Sequence, residues 1–216
     1  MPITINGNGS ISGLSVGGLP DGTVDAGTLA SNSVETVKIA NNAVTSAKAT
    51  GVGYTIDVIS TWKLDANQSN GNRDPMNESW VLEASEDQGA TVAEQSGGGV
   101  TCSSGVFSFP KTGIYSITGV WVFKVSGDSR WNTVYMHVST NGGSSWDAVT
   151  ASNAGITQCQ SDNTYQCVPS FYMLDVTNTT NTKVKFPFNC SNSSTHCEGS
   201  GNENASNVTF MRVADT

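Results

Sequence analysis

The sequence predicts an all-β protein: a C-terminal eight-stranded jelly-roll sandwich, preceded by an extended N-terminal arm and a short repeat stalk. Three observations carry this prediction. Charged residues make up only 13% of the 216, so the polarity comes from Gly, Asn, Ser and Thr, which favour turns and strand surfaces over helices. From Tyr54 onward, short apolar runs with period-two alternation are separated by clusters of turn residues. The five Trp, five Tyr and seven Phe all lie at or after Tyr54, so the first quarter of the chain lacks the side chains that dominate a globular core and has to lean on something else.

Residues 1–22, MPITINGNGSISGLSVGGLPDG, are punctuated by glycine and carry aliphatics at Ile3, Ile5, Ile11, Leu14, Val16 and Leu19. This spacing reads as an extended anchoring arm, whose aliphatics add to another protein's sheet edge or fill shallow pockets. The competing reading is a floppy terminus.

Residues 23–53 contain a ten-residue repeat: TVDAGTLASN, SVETVKIANN and AVTSAKATGV. Val24, Val34 and Val44 share one column; Leu29 and Ile39 share a second with Ala49. So short a period means that each unit offers the same few apolar groups to a neighbour and is unstable alone. A helix is disfavoured, because ten residues fall about 80° short of three full turns and the columns would spiral around its surface. The columns instead predict short extended pieces wound with two further copies into a trimeric stalk, in which three sets of Val and Leu/Ile converge on one axis. A disordered linker is the alternative.

Residues 54–216 form the head domain. Strands are expected over 54–64, 79–84, 105–109, 114–125, 131–139, 166–175, 183–189 and 207–213, with turns at Ser69-Asn70-Gly71-Asn72, Gly97-Gly98-Gly99, Ser126-Gly127-Asp128 and Asn141-Gly142-Gly143. In 114–125 both faces are apolar, Ile114, Val120 and Val122 against Tyr115, Ile117, Trp121 and Phe123. That pattern marks a central strand with one face in its own core and the other against a partner subunit.

The stretch Gly105-Val-Phe-Ser-Phe-Pro-Lys-Thr-Gly-Ile-Tyr-Ser-Ile resembles the strand-turn-strand signature of the globular complement/tumour-necrosis-factor type of jelly roll. Asn141-Gly142-Gly143, Lys183-Val-Lys-Phe and Val208-Thr-Phe-Met-Arg fit the remaining strands of that fold in pattern. The resemblance implies an obligate homotrimer. Separately, Ile-Thr-Ile-Asn-Gly, Gly-Leu-Pro-Asp-Gly-Thr-Val-Asp and Ala-Val-Thr-Ser-Ala-Lys resemble the N-terminal part of tailed-bacteriophage virion proteins of the tail-fibre, head-fibre and capsid-decoration types. This second resemblance implies a virion-surface protein whose arm docks on the major capsid protein or another virion protein while the C-terminal module faces outward. The short stalk favours the head of the particle over the tail.

A net charge of −8 argues against a nucleic-acid partner and against anionic membranes, and no apolar run is long enough to span a bilayer or to open the chain as a secretory leader. Cys159 and Cys167, and Cys190 and Cys197, each flank a short polar loop, a spacing that allows two local disulfides with Cys102 left over; free thiols are the alternative. Cys190, His196 and Cys197 lack the second ligand pair that would make a zinc site, so neither a metal nor a cofactor is expected. Nor is catalysis. His137 and His196 have no nucleophile beside them in sequence, and Glu83, Glu86, Asp87 and Glu94 read as a solvated acidic loop more readily than as a glycosidase pair. Trp131, Trp146 and Tyr165 are the candidate contacts in the competing reading, a tail fibre that binds host-surface carbohydrate, and are otherwise core or trimer packing.

Overall fold

The computed structural model describes residues 56–69, 71–77, 80–82 and 98–216, together with residues 4, 5, 7, 11, 12 and 39. The chain divides into two units, Met1–Gly53 and Tyr54–Thr216. In the first, β1 (Thr4–Ile5) and β2 (Ile11–Ser12) pair antiparallel with Ile5 opposite Ile11 and with Gly7 in the turn between them. The segment read as an extended arm therefore doubles back here. Period-two spacing fits a lone extended strand and a hairpin equally well, so it does not separate the two. Ile39 is described and 40% exposed. Ile3, Leu14, Val16, Leu19, Val24, Leu29, Val34 and Val44 lie outside the described residues, as do Glu83, Glu86, Asp87 and Glu94.

The described part of the second unit contains twelve strands and no helix: β3 (Ile59–Leu64), β4 (Trp80–Leu82), β5 (Thr101–Ser103), β6 (Val106–Ser108), β7 (Gly113–Ser126), β8 (Ser129–Ser139), β9 (Asp147–Ile156), β10 (Asn163–Val176), β11 (Lys183–Lys185), β12 (Phe188–Cys190), β13 (His196–Cys197) and β14 (Asn207–Ala214). One antiparallel sheet runs β10-β7-β14-β3-β4, with β13 also on β7. In the other, β8 pairs with β9 on one side and with β11 and β12 on the other, and β11 leads on through β6 to β5. The two sheets face each other across the core, from which Tyr115, Ile117, Trp121 and Phe123 of β7 meet Phe107, Val134, Met136, Val184 and Phe186, all at most 1% exposed. Trp121 and Phe186 pack at 5.1 Å between centroids and Phe107 and Phe210 at 5.1 Å, within the range where ring pairs add about 0.5–1.5 kcal/mol to simple burial.

Each of the eight expected segments contains a strand, and the extra strands have physical reasons. The expected strand 183–189 is two, because Phe186 and Pro187 leave the ladder between them; proline has no N–H to give, and only its carbonyl is used, accepting from Tyr135 N at 2.9 Å. β9 was not expected. The positions it aligns with the inward residues Met136, Val134 and Asn132 are Thr150, Ser152 and Ala154, and a bulge interrupts its register at Val149, so no apolar alternation marks it in the sequence. Gly105 was placed in a strand but forms the hairpin turn between β5 and β6: Ser104 and Gly105 have φ of 50° and 76°, the two positive values of a type I′ connection. A Cβ on Gly105 would lie 2.2 Å from the Met76 carbonyl oxygen. Gly105→Ala is therefore expected to cost more than the ordinary ~1 kcal/mol of a positive-φ substitution, read as a lower urea midpoint with unchanged slope.

A polar latch closes the end of the sandwich where β14 finishes. Arg212, 8% exposed, donates to the Thr112 carbonyl at 2.7 Å and pairs with Asp57 at 3.2 Å and with Asp215, while Lys111 holds the other oxygen of Asp57 at 2.9 Å. Burial works to raise the pKa of Asp57, and the bonds from Lys111 and Arg212 overcome it, so the net shift is downward. A carboxylate with a lowered folded pKa contributes stability that is present above its unfolded value of about 3.9 and is lost as pH falls through the folded value. Asp57→Asn is accordingly expected to lower stability at neutral pH and to flatten its decline below about pH 4, checked by thermal melts across the acid range.

Candidate functional site

The outward face of the first sheet follows from its register. Phe171 of β10, Thr118 of β7, Thr209 of β14 and Thr61 of β3 lie in one row, with Thr61 Oγ1 and Thr209 Oγ1 2.9 Å apart. Met173, Ser116, Met211 and Ile59 form the next row, and Pro169 lies beside Val120 and Cys167 beside Val122 on the other side. Phe171 is 61% exposed and Met173 44%, and Pro169 and Cys167 are also exposed. The sequence marked β7 as apolar on both faces. The structure puts Trp121 and its neighbours in the core and Val120 and Val122, half-buried, on this outer surface.

Polar groups border the apolar face where β13 joins it. Lys124 pairs with Glu198 at 3.2 Å and stands over the Tyr165 ring at 5.3 Å. The Tyr165 hydroxyl and the Glu198 carboxylate push the pKa of Lys124 up, against the opposing effect of burial. His196, level with Lys124 in the ladder, places Nδ1 2.9 Å from Ser69 Oγ. Sequence spacing did not reveal this Ser–His contact, because Ser69 lies after β3 and His196 on β13, far apart in the chain. A catalytic serine also needs a group that orients the imidazole; Glu198, two residues further on, pairs through Oε1 with Lys124. The bond joins the loop around Ser69 to β13, beside the ladder pair of Gln68 with Cys197.

The outward face of the second sheet carries a different cluster. Lys185, 9% exposed, forms an ion pair with Asp74 and sits 4.7 Å from the Trp146 ring centroid. Lys185 pairs in register with His137, whose ring lies 5.9 Å from that of Tyr135 at 59°. Burial lowers the pKa of His137, Asp74 raises it and Lys185 lowers it, with a net downward shift. The three aromatics singled out from the sequence do not converge. Trp131 lies near the start of β8 and Trp146 just before β9, whose first residue pairs with Val138; seven residues of strand, about 23 Å, separate Trp131 from Val138. Tyr165 lies on the other sheet.

All five cysteines are free thiols. Cys159 and Cys167 are exposed, and their surroundings explain why the loop spacing does not produce a bridge. Cys167 faces outward beside Val122, whereas Cys159 is tied through its N–H, at 3.0 Å, to Thr164, which pairs with the inward-facing Val125. Cys190 and Cys197 belong to opposite sheets; the first donates to the Asn192 carbonyl at 3.1 Å and the second to Ser206 Oγ at 3.4 Å. Burial pushes the Cys197 thiol up to about 12 and that of Cys102 to about 11, and raises that of Cys190. Reaction with a disulfide reagent proceeds through the thiolate. Cys159 is therefore expected to titrate quickly in the native protein, Cys167 to do so only where the outer face beside Val122 is uncovered, and all five after denaturation. Mass mapping of the labelled cysteines checks the assignment.

No protein-family model matches the chain, and no curated protein matches it. Solved structures do. The Eiger TNF of S. frugiperda aligns over 75% of this chain and 96% of its own, at 12% identity and a TM-score of 0.53. Murine APRIL at pH 8.0 aligns over 72% of this chain and 98% of its own, at 12% identity and a TM-score of 0.47. At such identity the likeness to Eiger speaks for architecture alone. The head has a TNF-like jelly-roll fold, two antiparallel sheets packed face to face.

Proposed function

We propose that this protein is a non-enzymatic bacteriophage virion structural protein, a homotrimer of the capsid-decoration, cement or head-fibre kind. Its N-terminal arm docks on the major capsid protein or another virion protein, and its jelly-roll head faces outward at the virion surface. The observation that carries the assembly is the outer face of the β10-β7-β14-β3 sheet, where Phe171 and Met173 stand exposed among Val120, Val122 and Met211. Such a patch on one protomer calls for a covering partner, and a second copy offers the same chemistry. The assignment to a virion is supported by the resemblance of the first fifty residues to phage tail-fibre, head-fibre and decoration proteins, and the head position by the brevity of the repeat region.

Quantitative mass spectrometry of purified particles tests the reading. A copy number that scales with the capsid lattice is expected; a number matching the symmetry of the tail would make this a tail fibre, and absence from the particle would overturn the proposal. Deleting residues 1–22 should leave a trimeric head that no longer binds particles, and retained binding would remove the arm from the docking role.

A further inference from the structure

The cluster on the second sheet is remote from the face assigned to assembly, and nothing in that role needs it. Its parts are unusually fixed for a surface. The hairpin that carries Trp146 is braced from within: Ser139 Oγ donates to Asn141 Oδ1 at 2.9 Å and accepts from Gly143 N at 2.8 Å, and Asn141 Oδ1 accepts from Ser145 N at 2.9 Å. Trp146 and Asp74 hold the Lys185 ammonium from two sides. Beside Tyr135 and His137 the edge strand β9 places only Ala151 and Ala148, both exposed, so no neighbouring side chain from that strand covers the two rings.

We propose that Tyr135, His137, Trp146 and Asp74 form a shallow binding site for a neutral pyranoside. The rings of Tyr135 and His137, 5.9 Å apart, span about one sugar ring. Because they lie at 59° to each other, they cannot both stack on it; the Tyr135 face takes the C–H face of the sugar, and the imidazole of His137 presents a ring nitrogen to a hydroxyl. Asp74 is the polar handle. Its side chain is 55% exposed while that of Lys185 is 11%, so the carboxylate reaches solvent and can accept two hydroxyls, and the ammonium beneath it acts as a positioning group. Lys185 and Asp74 cancel in charge, which favours a neutral ligand over an anion.

The test uses the intact protein with four probes, the methyl glycosides of glucose, galactose, mannose and N-acetylglucosamine, titrated separately while the aromatic NMR signals are followed. At least one is expected to give saturable shifts at millimolar concentration, confined to Tyr135, His137 and Trp146. Tyr135→Ala and Asp74→Asn should each weaken that binding by about tenfold, equivalent to about 1.4 kcal/mol, whereas Trp131→Ala and Tyr165→Ala should leave it unchanged. Unchanged near-ultraviolet circular dichroism in the variants separates lost binding from lost fold. The proposal is overturned if none of the four shifts these signals, or if Tyr135→Ala binds as well as the native protein. Trimer assembly is read independently by sedimentation, so a failure here leaves the structural role standing and the converse also holds.

Discussion

Phe171→Asp is expected to leave the proposed trimer as a monomer whose head domain remains folded. Phe171 is 61% exposed in the isolated chain, in register with Thr118, so the substitution removes little from the protomer's own core. Aspartate is a poor strand residue, but at such a site the cost is bounded by roughly 1 kcal/mol. In the proposed trimer the balance differs. Burying a Phe side chain contributes about 2 kcal/mol per copy, so three copies contribute about 6 kcal/mol, and a tenfold change in association corresponds to about 1.4 kcal/mol. Loss of that term alone weakens assembly by about four orders of magnitude, before the cost of placing a carboxylate in an apolar contact is added. Sedimentation velocity and light scattering read the result. A trimeric Phe171→Asp protein would move the interface to another face, and a monomeric native protein would remove the shared premise of trimer and stalk. Met173→Asp, one row away and 44% exposed, is expected to act in the same direction.

The outer face was legible in part, and the reason lies in how each strand is covered. β7 announced itself because Val120 and Val122 alternate with Trp121 and Phe123, and a strand apolar on both sides has to be covered on both. In β10 the run Phe171-Tyr172-Met173-Leu174 is apolar at every position, so its sequence does not say which residues point outward; pairing with Thr118 and Ser116 decides it. β9 was illegible for the opposite reason. Small and hydroxyl residues cover the rim, where Ser152 Oγ donates to the Pro169 carbonyl at 2.7 Å and ties the two edge strands together. The Lys185–Asp74–Trp146 contact joins three segments far apart in the chain, and spacing carries no signal for such a meeting. Trp146 was singled out, but in company with Trp131 and Tyr165, because an aromatic in a loop reads the same whichever sheet carries it.

The largest effect on the fold itself is expected at Trp121. It is fully buried, packs against Phe186 at 5.1 Å and Trp80 at 6.3 Å, and donates through Nε1 to Ser170 Oγ at 2.9 Å. Trp121→Ala leaves a cavity and an unfilled hydrogen bond at a serine that is 8% exposed, a combined loss of about 4–5 kcal/mol, which for a domain of this size lowers the melting temperature by about 10–15 °C. The indole fits because position 119 has no side chain: a Cβ there would lie 2.7 Å from Trp121 Cζ2 and 2.6 Å from Ser170 Oγ. Gly119→Ala should therefore destabilise by about 1–3 kcal/mol through overpacking. Combining it with Trp121→Phe discriminates this cause from a simple backbone effect, since phenylalanine has no atom where Cζ2 lies and releases Ser170 Oγ from its donor. The penalty of Gly119→Ala is expected to shrink in the Trp121→Phe background, a favourable coupling measured by a double-mutant cycle on urea midpoints. Strict additivity would mean that Gly119 serves the backbone of β7 and leaves the indole's close fit to some other neighbour.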